Sequence, residues 1–215
     1  MSWRGVYAVV LWLALPVVLA RLWLRGRHES RYRDHWSERF GRYHDTDAPR
    51  PGFIWIHAVS LGELHAARPL IERLLVTYPD AELLLTQMTA TGREAAEQAY
   101  GSNARVRICW LPYDYPFAVR RFFRHFKPRA GLIMETEVWA NLLREARAQG
   151  VPMMLVNARL SEQSFRGYRR FDSLAREAFA TFRLVAAQGA ADAARLAQLG
   201  AQPIHVTGNL KFDTQ

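Results

Sequence analysis

Residues 53–86, FIWIHAVSLGELHAARPLIERLLVTYPDAELLLT, decide the fold. The stretch opens on a short apolar, β-branched run, Phe53–Val59, and closes on a second, Glu82–Thr86. Between them Leu64–Thr77 carries apolar residues at helical spacing, and Pro79-Asp80 marks a turn. The unit recurs downstream. Strand-like runs fall at Val106–Leu111, Gly131–Glu135, Met153–Asn157, Leu184–Ala187 and Ile204–Thr207, and helix-like stretches at Gly92–Tyr100, Phe117–Phe126, Val138–Gln149, Asp172–Phe182 and Ala190–Leu199. Strands alternating with helices imply βαβ units and a parallel sheet. Residues 51–215 therefore read as one α/β, Rossmann-like, doubly wound domain.

Ligands of such sheets bind beyond the carboxyl ends of the strands, so the strand-to-helix loops carry the search for chemistry. The loop Ser60-Leu61-Gly62-Glu63 is not G-x-G-x-x-G, and no G-x-x-x-x-G-K-[ST] occurs, which disfavours dinucleotide and P-loop sites. No H-E-x-x-H, cysteine pair or G-x-S-x-G is present, so zinc-hydrolase and α/β-hydrolase readings lack support, and no ligand cluster implies a metal.

Composition agrees with a folded chain. Half of the 215 residues are hydrophobic and 12% aromatic, which excludes intrinsic disorder as the main state. The single cysteine, Cys109, excludes a disulfide framework and suits a reducing compartment. The net charge of +9 rests almost wholly on arginine, and only Lys127 and Lys211 are lysines. It suggests an anionic partner without choosing among nucleic acid, phospholipid and phosphorylated sugar.

The basic excess is densest at the N-terminus, where it flanks the uncharged run Gly5–Ala20, extended past Arg21 by Leu22-Trp23-Leu24. Sixteen helical residues cover roughly 24 Å, short of a ~30 Å hydrocarbon core, so a single span and a shallow monotopic anchor are both feasible over residues 1–24. Val18-Leu19-Ala20 resembles a signal-peptide cleavage site, but Arg21, Arg25, Arg27, Arg31 and Arg33 follow it and only Arg4 precedes the run. That asymmetry favours a retained anchor with the bulk of the chain in the cytoplasm. Residues 25–50 form a basic segment studded with Tyr32, Trp36, Phe40 and Tyr43, which either lie near the membrane or pack on the next domain.

Four loops are chemically loaded. Ser60-x-x-Glu63 has the spacing of a capping box; the alternative is a chemical role, since a carboxylate at a helix N-terminus stays ionised and suits a general base, with Gly62 admitting a ligand to the backbone. Glu135-Thr136-Glu137 places two carboxylates after a buried-looking strand, more than a helix cap requires. Asn157-Ala158-Arg159 offers an arginine that can fork onto phosphate, although Arg159 with Arg166, Arg169 and Arg170 also fits a solvated basic helix face. The last loop, Gly208-Asn209-Leu210-Lys211-Phe212-Asp213, closes the series with Lys211. Thr91-x-x-Glu94 reads as an N-cap turn.

Taken in order, HAVSLGE (57–63), LPYDYP (111–116), METEVWAN (134–141), NARLS (157–161) and GNLKFD (208–213), after an N-terminal apolar run, resemble the 3-deoxy-D-manno-octulosonic acid (Kdo) transferase family of Gram-negative bacteria. The resemblance spans essentially the whole chain, and its motifs are specific as a set. It implies the N-terminal, acceptor-side domain of a two-domain GT-B glycosyltransferase, in which a C-terminal domain holds most of the CMP-sugar site and lies outside this chain. The implied reaction moves Kdo from CMP-Kdo to the lipid A precursor (lipid IVA) in lipopolysaccharide biosynthesis, on the cytoplasmic face of the inner membrane, with no cofactor and no nucleic-acid partner. The resemblance matches Glu63 to the catalytic base and Glu135 and Lys211 to positions that stabilise the transition state. Ser60, Gly62, Glu137, Asn157 and Arg159 are the candidate substrate-binding positions. One departure is Ala140, where the family carries proline; its loss relaxes the helix start but removes no reacting group. The fragment by itself is expected to be inactive. The rival reading is a non-catalytic, membrane-attached module that binds the lipid A precursor or a protein.

Overall fold

The expected strands pair into one parallel sheet. In a computed structural model that describes residues 3–43 and 52–212, they are β1 (Ile54–His57), β2 (Leu83–Gln87), β3 (Val106–Trp110), β4 (Ala130–Met134), β5 (Met153–Ala158), β6 (Phe182–Ala187) and β7 (Ile204–Val206). Their order across the sheet is β3-β2-β1-β4-β5-β6-β7, and every pairing is parallel. The connecting helices are α2 (Leu61–Thr77), α3 (Ala90–Tyr100), α4 (Pro116–Phe126), α5 (Ala140–Ala148), α6 (Glu162–Arg169), α7 (Asp172–Phe179) and α8 (Ala190–Gln198), preceded by α1 (Trp3–His28).

Both faces of the sheet are covered, which is why its strands read as continuous apolar runs rather than as an alternation. Successive side chains still part to opposite faces. Ile54, Ile56, Leu83 and Leu85 pack under α2 and α3 with Leu64 and Ile71. Trp55 and Leu84 face the other layer, with Phe122 and Phe123 of α4. Trp55 is fully buried, meets Phe122 and Phe123 edge-on, and donates its indole N–H to Thr86 Oγ1 at 2.8 Å.

Local rules misplace two helix starts. The cap of α3 is Thr89, whose hydroxyl accepts from Gly92 N at 3.2 Å, and not Thr91. Helix α5 starts at Ala140, two residues later than expected, because its cap comes from far away in sequence. Asp114 Oδ2 accepts from Asn141 N at 2.9 Å and Oδ1 from Leu142 N at 2.8 Å. That carboxylate holds the start of α5.

Helix α1 runs unbroken through Pro16, and Gly5–Arg27 is long and apolar enough to cross a membrane. One side of it is docked on the domain. Tyr7 donates its hydroxyl to Asp114 Oδ2 at 2.7 Å, and Tyr115 donates to the Leu11 carbonyl at 2.8 Å. The Trp12 ring lies 5.6 Å from Tyr115 and 6.0 Å from Phe117. Val9, Val10, Leu13 and Val17 are exposed on the remaining surface.

Of the two readings of the basic segment, its aromatics follow the packing one. Tyr32 stacks on Trp110, Phe40 meets Tyr113, and Tyr43 packs edge-on against Phe126 at 4.6 Å; Trp36 stays partly exposed. A buried ionic knot holds the segment down. Glu38 Oε2 accepts from Arg93 Nη1 at 2.7 Å and from Trp110 N at 2.8 Å, while Arg39, 1% exposed, lies 3.9 Å above the Trp110 ring. Residues 44–51 and Asp213 lie outside the described residues.

Candidate active site

The chain leaves β1 for β2 on one side and returns to β4 on the other, so the sheet reverses order between β1 and β4. In open α/β sheets the crevice at that switch point is where ligands bind. Glu63 enters it from the first turn of α2, and Glu135 and Glu137 from the loop after β4.

Glu63 is 9% exposed. Its Oε2 accepts from Val59 N at 2.9 Å, and its Oε1 accepts the Ser60 hydroxyl at 3.3 Å. This is not the capping box that the spacing suggests. Ser60 occupies the N-cap position, yet its side chain makes no cap bond to the helix and is turned onto Glu63 instead. The expected permanently ionised carboxylate is corrected as well. Burial pushes Glu63 up to about 7; the Val59 N–H opposes the rise, and the charges of Glu135 and Glu137 add to it. A carboxyl poised near neutrality is matched to taking a proton and later releasing it. Gly62 is exposed beside it, and the position where a Cβ would stand has nothing within 4 Å, leaving the backbone open to a ligand.

Glu135 and Asn157 stand at the ends of the neighbouring strands β4 and β5, and both adopt φ of 55°, a left-handed backbone that non-glycine residues seldom hold. Local strain of this kind gathers at ligand sites, where the surroundings over-determine it. The turn at Glu135 ends β4 one residue earlier than the sequence suggests and carries Glu135 Oε1 to 4.0 Å from Lys211 Nζ. Asn157 is buried at the end of β5. Its Oδ1 accepts from Leu210 N at 3.1 Å, its carbonyl accepts from Gln188 Nε2 at 3.0 Å, and it thereby fixes the loop that delivers Lys211. We expect Asn157→Ala to cost about 0.5–1.5 kcal/mol in thermal or urea unfolding, because the partly buried Leu210 N–H loses its acceptor, and Asn157→Asp to cost less, because it keeps the acceptor.

Glu137 is half-buried, and burial raises its pKa with help from Glu135; the Trp139 indole N–H moderates the rise without forming a hydrogen bond of normal geometry. Arg159 is exposed; its carbonyl accepts the Thr136 hydroxyl, while its guanidinium has no ion pair among the described residues. Arg166 is paired with Glu162 at 3.1 Å on the outer face of α6, as a solvated basic face would be. Glu63, Glu135, Glu137, Ser60, Gly62 and Lys211 thus converge, Asn157 supports them from behind, and Arg159 lies at their margin.

Sequence reasoning assigned no role to three residues that shape this crevice. Tyr168 donates to the Thr136 carbonyl at 3.4 Å, and its own pKa is pushed up to about 12 by burial and by Glu137. His57 is fully buried with Nδ1 2.9 Å from Thr86 Oγ1, and burial lowers it to about 4, so its ring is neutral. Asp114, buried and raised to about 6 by that burial against the Asn141, Tyr7 and Leu142 bonds, anchors the start of α5, a few residues along the chain from Glu137. The acidic residue inside LPYDYP was the available signal for Asp114.

Comparison with known proteins agrees along the chain. A family model described as "3-Deoxy-D-manno-octulosonic-acid transferase (kdotransferase)" matches residues 34–214. A 3-deoxy-D-manno-octulosonic acid transferase of Bordetella pertussis is 45% identical over 215 residues, covering 98% of this chain and 50% of that protein. The Haemophilus influenzae protein of the same name is 34% identical over 213 residues, covering 98% of this chain and 49% of its own length. A probable mitochondrial 3-deoxy-D-manno-octulosonic acid transferase of Arabidopsis thaliana is 34% identical over 222 residues, covering 97% and 48%. The chain spans about half the length of these curated relatives. Among solved structures, a UDP-N-acetylglucosamine 2-epimerase matches with a TM-score of 0.53 at 15% identity, over 74% of this chain and 49% of that one, a likeness of fold alone.

Proposed function

The chain belongs to the 3-deoxy-D-manno-octulosonic acid (Kdo) transferase family, and from that premise we propose that the whole protein transfers Kdo from CMP-Kdo to the lipid A precursor. The observation that carries the proposal is Glu63: a buried carboxyl near pKa 7, at the switch point, beside an exposed glycine. In this reading Glu63 takes the proton of an acceptor hydroxyl as that oxygen bonds to the anomeric carbon of Kdo. The bond from that carbon to the CMP phosphate breaks, and its electron pair leaves on the phosphate oxygen. Positive charge then develops on the sugar and negative charge on the phosphate. The Glu135–Lys211 pair sets a fixed anion and a fixed cation within 4.0 Å of each other, which is suited to stabilise both.

Residues 51–215 serve as the acceptor-side domain, completed in the whole protein by a donor-binding domain. The arginines from Arg21 to Arg33 favour anchoring on the cytoplasmic face of the inner membrane.

The test is transfer of labelled Kdo from CMP-Kdo to tetraacyl lipid A precursor in membranes carrying the whole protein. Lys211→Ala and Glu135→Gln should each lower kcat by about 10²–10³-fold, as removal of a preorganised electrostatic group does. Full activity in both variants would remove the pair from the reaction.

A further inference from the structure

An apolar cavity of about 340 Å³ opens between α1, the start of α5 and the α6–α7 corner. Its walls include Val6 and Val10 of α1, Val138 and Ala140 just after Glu137, and Leu174 and Ala178 of α7. The two hydroxyls that reach it are already engaged: Tyr7 with Asp114, and Tyr168 with the Thr136 carbonyl. A polar ligand or a cluster of waters would find few partners, whereas pockets of this size and lining suit apolar groups. At the mouth stand Val10 and Phe171, both about half exposed, and Val10 continues into the bare apolar surface of α1 at Val9, Leu13 and Val17. Arg169 and Arg170, which precede Phe171 in the chain, are exposed, with Arg169 lying over the Phe165 ring.

We propose that this cavity receives one fatty-acyl chain of the phosphorylated lipid acceptor, holding it while its sugar hydroxyl reaches Glu63. The inference rests on the lipid-acceptor reading above. Three placements favour the acceptor over any other apolar occupant. The cavity opens where the chain's most lipid-like surface begins, two exposed arginines precede its lining residue Phe171 in the chain, and its lining includes Val138, the residue that follows Glu137.

The cavity also answers an energetic problem. A lipid whose sugar must rise from the bilayer into a protein crevice drags methylenes out of hydrocarbon, and each one left in water weakens the complex roughly fourfold. A lipid-facing slot covers them during the excursion. The acyl chain gains little by moving from one apolar surrounding to another; what it avoids is exposure.

The test compares tetraacyl lipid A precursor with the same bisphosphorylated disaccharide stripped of its acyl chains, using the whole protein. Ala178→Phe and the half-buried Leu174→Trp should fill the cavity. Each is expected to raise KM for the acylated acceptor about tenfold or more, with kcat unchanged and kinetics on the deacylated acceptor unaltered. Equal effects on both acceptors, or none on either, would overturn the proposal.

Photolabelling of the unaltered protein needs neither a folded variant nor turnover, so it stands apart from failure of the transfer reading. A lipid A precursor with a diazirine at the end of one acyl chain should label residues 174–178 or 6–10. Label confined to Leu13, Val17 and Leu24, or equal labelling of the cavity by phosphatidylglycerol carrying the same chain, would overturn the assignment.

Discussion

Glu63→Gln is expected to lower kcat for Kdo transfer by about 10³-fold, within the range of a lost general base, with little change in the acceptor KM. The wild-type rate should rise with pH along a limb with its midpoint near 7, since the deprotonated form is the base and burial sets its pKa at about 7. The glutamine variant should lack that limb. The substitution should also stabilise the fold, and the sign follows from linkage. The folded pKa of Glu63 lies above the 4.5 of the free side chain. The wild type therefore keeps this group's full contribution only below about pH 4.5 and loses it as pH rises through 7, when the buried group must ionise. Glutamine does not ionise and can keep the Val59 N–H as its partner. The gap in melting temperature between variant and wild type should open between pH 5 and pH 8. A variant that is inactive yet no more stable at pH 8 than at pH 5 would show that the burial of Glu63 is not what tunes it.

Glu38→Ala is expected to cost about 3–5 kcal/mol, the range for breaking a buried ion pair from one side. Glu38 is the buried anion opposite Arg93, from which it accepts at 2.7 Å, and the next residue, Arg39, lies buried over Trp110. It also satisfies the Trp110 backbone N–H at 2.8 Å, which an alanine cannot do. Arg93 would retain Glu97 at 2.8 Å but lose the more buried of its two carboxylate partners. Urea denaturation of the whole protein should show a lower midpoint. Glu38→Gln should recover only the Trp110 bond and so fall in between. A loss under 1 kcal/mol would mean that the segment rests on its aromatic contacts alone.

The sheet was legible in the sequence because its cause is local. Seven short apolar runs separated by helical spacing leave few ways to bury both faces, and each run appears as a strand within about two residues of its expected bounds. The positions of Glu63, Glu135 and Lys211 were legible for the same reason, as residues just past strand ends. The condition of Glu63 was not. Its pKa depends on burial and on carboxylates more than seventy positions downstream, and no local pattern carries that information. The capping-box spacing at Ser60 was misleading because spacing fixes which groups can meet but not the direction of the bond; here the hydroxyl donates to Glu63. Asp114 escaped notice because its partners lie 107 positions upstream at Tyr7 and 27 downstream at Asn141.

The bond between Tyr7 and Asp114 bears on how this protein is handled. Cutting away the apolar N-terminal helix is a common route to a preparation free of detergent. Here that cut would remove one of the partners of a carboxylate that caps α5, free the Tyr115 hydroxyl from the Leu11 carbonyl, and uncover Tyr115 and Phe117 to water. The helix is part of the folding unit, and a shortened protein would report on a different crevice.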